Sequence, residues 1–186
     1  TLTNPNVNNT NTGQNMFIAQ YNASTGSVIW ASGAGSSANS PINVSANSIT
    51  VDTSGYIYVA GTLKTSVIFG ASTAKTLASS NMFVVKYGSN GNVFWVKGAD
   101  GGYGCGANSV TTDIIGDIYV AGSFWGNTNS NSAIFHSDTL TIHPGWAGDR
   151  DMFISKLGSV VTGINPDQAF VNEIGIYPNP TNGKFT

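Results

Sequence analysis

The chain has little charge. Only 9% of its 186 residues are charged, seven basic against nine acidic, for a formal net charge of −2. That excludes the basic footprint with which a protein neutralises phosphates, so nucleic acid is not an expected partner. Cysteine is almost absent as well. Cys105 stands alone, so no disulfide can form within the chain, and a small buried or half-buried thiol is expected there. A nucleophilic cysteine needs a base, and no motif links either of the two histidines, His136 and His143, to Cys105. Long apolar runs are missing, and no window holds i, i+3, i+4 apolar spacing. No transmembrane segment and no amphipathic helix are therefore expected.

Glycine, present 23 times, and abundant asparagine supply the polarity that charge does not, a composition of turns and strands. The informative stretch is Ala107-Asn-Ser-Val-Thr-Thr-Asp-Ile-Ile-Gly-Asp-Ile-Tyr-Val-Ala-Gly122, because Ala46–Gly61 has already written it once, without a gap. Three further pieces recur at a similar spacing. Asn15–Tyr21 returns as Asn81–Tyr87 and Asp151–Leu157, Gly26–Trp30 returns as Gly91–Trp95, and Val67–Gly70 is echoed by Ala133–His136. Self-similarity at a fixed period is the mark of an array.

The complete unit contains four strand-like segments, Ser48–Asp52, Tyr56–Thr62, Met82–Tyr87 and Asn92–Lys97, and the 63–80 connection can hold a hairpin of Val67–Phe69 with Lys75–Leu77. Asp52-Thr-Ser-Gly55 and Ser89-Asn-Gly91 provide the turns. Apolar residues occupy both parities of the strands: Met82 and Val84 point one way, Phe83, Val85 and Tyr87 the other. A sheet with one wet face would alternate cleanly, so both faces here need cover. Like sheets stacked by radial repetition give that cover. The expected fold is all-β, a partial β-propeller of four-stranded antiparallel blades over residues 1–157, with a β-sandwich as the alternative. The chain begins with the last two strands of one unit, runs through a full unit and adds three strands of another. So few units cannot close a ring, which takes at least about four blades. The expectation is a fragment, or copies that associate.

From Gly158 the repeat stops. Residues 158–173 read as a linker, and 174–186 carry Ile-Tyr-Pro-Asn-Pro-Thr-Asn-Gly-Lys-Phe, a rigid turn entering a strand.

Two resemblances follow from these residues. The pieces Asn-Ser-Ile-x-Val-Asp-x-Ser-Gly-x-Ile-Tyr-Val-Ala-Gly and Met-Phe-Val-x-Lys-Tyr resemble the β-propeller repeat of bacterial secreted proteins, often of a seven-bladed type, over about residues 15–157. Asp113-Ile-Ile-Gly116 departs from that pattern, and no Trp-bearing fourth strand follows Leu157. The tail, with Tyr177, Pro178, Asn179, Pro180 and Gly183, resembles the start of the C-terminal sorting domain of type IX secretion substrates. That resemblance implies export to the outside or to the outer-membrane surface, with the type IX machinery as a partner.

Candidate chemistry is sparse. Asp52 and Asp113 occupy equivalent turn positions and read as Asx caps. Calcium is the sharper alternative, but the alternating acids and bidentate Glu of a calcium loop are missing, so no metal or other cofactor is expected. Trp30 and Trp95 repeat with the period and read as core. Trp125 and Trp146 do not repeat. They lie in the 123–150 connection with Phe124, His136, His143 and Arg150, which reads either as packing within the loop or as a binding site for a surface glycan or protein, where an unrepeated aromatic loop on a repeated scaffold would place one. Asp100–Gly106 is glycine-rich but precedes a strand, and reads as a flexible connection, not a phosphate cradle. The function expected is a secreted or surface-displayed binding or display module without catalysis. The alternatives are the propeller part of a secreted hydrolase and a structural spacer.

Overall fold

In the computed structural model, residues 14–35, 43–75, 80–99, 103–126, 132–135, 138–142, 150–158 and 174–176 are described. They form fourteen strands and no helix. In chain order these are β1 (Met16–Tyr21), β2 (Val28–Gly35), β3 (Val44–Val51), β4 (Ile57–Leu63), β5 (Val67–Phe69), β6 (Ser72–Ala74), β7 (Asn81–Tyr87) and β8 (Val93–Gly98). They continue with β9 (Gly104–Thr112), β10 (Ile118–Trp125), β11 (Ser132–Phe135), β12 (Asp138–Thr141), β13 (Arg150–Leu157) and β14 (Ile174–Ile176).

The complete repeat folds into one antiparallel sheet in the order β3-β4-β7-β8, the order of the chain. Its two parities go to different cores. Ile57, Val59, Leu63, Phe83, Val85 and Tyr87 pack against Met16, Ile18 and Ala34 of the first sheet, with Val67 and Phe69 beside them. Tyr58, Ala60, Met82 and Val84 pack against Val110, Ile118, Val120 and Phe153 of the third. The middle sheet is thus covered on both faces, which a two-layered sandwich would not do. Burying a side chain such as Phe83 completely contributes about 1.5–3 kcal/mol.

The inner strands carry a repeated irregularity. The register of β3 on β4 slips between Ala46 and Ser48, and that of β9 on β10 slips at the equivalent residues. The bulge frees Asn47 to reach the next sheet, where its Nδ2 donates to the Ala107 carbonyl at 2.7 Å. Beside it, the Val110 N–H donates to Ser48 Oγ at 3.1 Å. Opposite each bulge stands a glycine, Gly61 or Gly122. A Cβ there would overlap the carbonyl oxygen of Ser45 or Gly106 and press on the ring of Phe83 or Phe153.

The connecting hairpins also repeat. Phe69 of β5 packs on Phe83 with centroids 5.1 Å apart, and Phe135 of β11 packs on Phe153 at 4.8 Å. The partner of β5 is Ser72–Ala74 and not Lys75–Leu77, because Gly70 adopts φ 57° and closes the turn early. The β5–β6 hairpin then extends the first sheet, β5 pairing with β2, to give the order β1-β2-β5-β6.

Two expectations change. Gly104, Cys105 and Gly106 are not part of a flexible connection but the first residues of β9. They are small because Trp125 lies on Gly104 and Thr62 on Gly106. The edge of β13 also has a strand: β14 pairs with it through Ser155↔Ile176, Lys156↔Gly175 and Leu157↔Ile174, giving the order β14-β13-β10-β9. Three residues of the tail therefore take the fourth-strand position, although they lack the repeat's tryptophan.

Candidate functional site

The turn aspartates act as local caps. Asp52 Oδ1 accepts from the backbone N–H groups of Ser54 and Tyr56, both at 2.9 Å, and Oδ2 accepts from the Tyr58 hydroxyl at 2.9 Å. Asp113 repeats the arrangement with Ile115, Asp117 and the Tyr119 hydroxyl. Gly55 and Gly116 complete the two turns at positive φ. Burial and then the Asp52 carboxylate hold the Tyr58 phenol well above its ordinary pKa. Desolvation pushes Asp113 upward, but the Asp117 N–H, the Tyr119 hydroxyl, the Ile115 N–H and the Lys156 charge together keep it below the usual carboxylate value. Among the described residues no three His, Cys, Asp or Glu side chains gather around one point.

The next strand position trades one cation partner for another. Lys86 lies over the Tyr56 ring, 3.8 Å from its centroid. Its counterpart Lys156 bonds Asp117, which replaces Tyr56, at 2.6 Å. The Asp117 bond, followed by that to Tyr119, raises the Lys156 pKa.

The structure separates the residues of the 123–150 connection. Phe124 is buried in the core against the middle sheet and is unavailable to a ligand. Trp125 and Arg150 stand opposite each other on β10 and β13, with the guanidinium carbon 4.9 Å from the ring centroid. Gly104 lets the indole lie against β9. His136, His143 and Trp146 fall outside the described residues, as do Tyr177, Pro178, Asn179, Pro180 and Gly183 of the tail motif.

Trp125 and Arg150 belong to the open face of the third sheet, where Met152 and Ile154 are also exposed. The corresponding face of the middle sheet, with Met82 and Val84, is buried by the third sheet. At the other end a groove of about 300 Å³ opens between the first and middle sheets, lined by Ile18, Trp30, Ile49, Val51 and Ile57. Neither open surface is written in a motif.

Residues 34–62 match the family model of the beta-propeller repeat (SBBP). The match covers the bulged inner strand, the Asp52 turn and the second strand up to Thr62. Together with the repeated four-stranded sheets it makes the chain an all-β partial propeller. None of the curated proteins compared matches the chain.

Proposed function

We propose that this propeller module is a noncatalytic binding or display unit, carried to the cell surface or beyond it by a type IX secretion system, and that it meets a surface glycan or protein through the Trp125–Arg150 end of the third sheet. The observation that carries the binding role is a joint departure from the repeat. Where the middle unit has Asn43, Lys64 and Ser80, the third has Gly104, Trp125 and Arg150, and these three assemble into an aromatic plate backed by glycine and flanked by a cation. A partly exposed indole offers an apolar face to a sugar ring, and the guanidinium offers donors to its oxygens. Export is supported by the tail's likeness to a sorting domain. No step of bond making is assigned, and the reading needs no cofactor.

The test is a glycan and protein array probed with the full chain, Trp125→Ala and Arg150→Ala. Binding that both variants lose, with melting of Arg150→Ala unchanged, supports the site. Binding unaffected by either change removes it. Separately, deletion of 160–186 should abolish export in a host that has the type IX system, and continued secretion would remove that address.

A further inference from the structure

The outer hairpin of the middle sheet differs from that of the first at a set of neighbouring positions. Where the first unit has Gln20, Asn22 and Ile29, the middle one has Lys86, Gly88 and Phe94. Two of these changes are matched. A Cβ on Gly88 would stand 2.8 Å from the Phe94 ring, and Gly88 does not hold the positive φ for which turns select glycine. Gly88 therefore makes room for the ring. Phe94 is 57% exposed and meets Tyr56 edge to face, with centroids 5.2 Å apart and planes at 84°.

The remaining change places a cation in the same cluster. Lys86 Nζ lies 3.8 Å from the Tyr56 centroid and 5.3 Å from that of Tyr58, and it forms no ion pair with a described residue. Asp52 is engaged elsewhere: its oxygens accept from the Ser54 and Tyr56 N–H groups and from the Tyr58 hydroxyl. The other two units treat this position differently. In the first, Gln20 is neutral and accepts from the Trp30 indole. In the third, Lys156 is held by Asp117, and the corresponding glycine, Gly158, faces that carboxylate. Among the described residues, the middle unit alone joins an ammonium without a carboxylate to an exposed ring. The cluster stands on β4, β7, β8 and their turns, all of them described.

We infer that Lys86, Tyr56 and Phe94 form a second binding site, which takes a sugar carrying a carboxylate, such as a uronate unit of an acidic glycan. The open face of Phe94 offers apolar contact to the C–H face of the sugar ring. The ammonium donates a charge-assisted bond to the carboxylate, and the Tyr56 hydroxyl supplies a further donor. The two tyrosine rings hold the ammonium in place beforehand, which lowers the ordering cost of binding. This site lies on the middle sheet and does not depend on the role given to Trp125 and Arg150.

The test titrates the full chain with a galacturonic acid tetramer, its methyl-esterified form and a glutamate peptide of equal charge. Saturable binding of the acid is expected, with amide shift changes at Tyr56, Gly88 and Phe94. The ester keeps the rings and loses the charge, and should bind at least about tenfold more weakly. Phe94→Ile, which copies the first unit, should weaken binding about tenfold. Lys86→Met should do the same while keeping the apolar stem. Should Lys86→Met fail to fold, Tyr56→Phe keeps both ring contacts and should lose about threefold. Absence of saturable binding overturns the site, as does equal binding of the ester or equal binding by Phe94→Ile. Equal binding of the glutamate peptide overturns the choice of a sugar. Shift changes confined to Trp125 and Arg150 would move the ligand to the third sheet and overturn this site.

Discussion

Gly61 and Gly122 show how single residues set the geometry of the repeat. Each faces a carbonyl across the inner bulge and a phenylalanine ring across the strand pair, so that even a methyl group has no room. Gly61→Ala should destabilise the chain by about 3 kcal/mol, measured by denaturant unfolding, whereas Gly26→Ala, in open space at positive φ, should cost about 1 kcal/mol. Equal costs would deny the close packing its role. The tyrosines give a pH signature. Burial raises Tyr87 to about 12 from 10.0, and Tyr58 is also raised. In each case the unfolded chain ionises before the folded one. The stability these phenols contribute is complete below pH 10 and is lost as pH rises towards the folded values. Alkaline melts of Tyr87→Phe should therefore fall less steeply than wild type between pH 10 and 12. Asp113 acts at the other end: its lowered pKa contributes stability above the ordinary 3.8 that is lost as pH falls through the folded value. Asp113→Asn should flatten the acid limb of the same melts.

Among the elements, β14 joins the tail to the repeat. The sequence places a domain boundary near residue 158, yet three tail residues pair with β13. Deleting 174–186 should lower stability by about 1–2 kcal/mol through lost edge hydrogen bonds and should speed amide exchange in β13 while leaving β1 unchanged. An unaltered β13 would mean that the tail stands apart from the third sheet. The outer-strand tryptophans belong to the same level. Trp30 and Trp95 each lie partly buried against the core shared with a neighbouring sheet, as their periodic recurrence predicts. Trp95→Ala should cost about 3 kcal/mol and Trp125→Ala less, since Trp125 looks out from the open face. Reversed values in denaturant melts would exchange their roles.

At the scale of the whole molecule, stability passes from sheet to sheet through cores that, among the described residues, meet at the middle sheet. In such an array each unit is supported by its neighbours. Phe153→Ala should then cost about 3–5 kcal/mol and accelerate amide exchange in β9, β10 and β13, with β1 and β2 little affected. Uniform acceleration along the chain would show a single cooperative unit instead.

The strands, their order within a blade and the need to cover both faces were legible in the sequence, because side-chain alternation and recurrence are local and survive without coordinates. Asp52 and Asp113 were legible as caps for the same reason: their partners lie within six residues. Tertiary structure alone decided which face each parity meets, that Phe124 belongs to the core and Trp125 to the open face, and that Gly104 begins a strand. Only tertiary structure, too, set β14 beside β13. Those outcomes depend on contacts between residues distant in the sequence, where packing and backbone pairing outweigh any preference a residue carries alone.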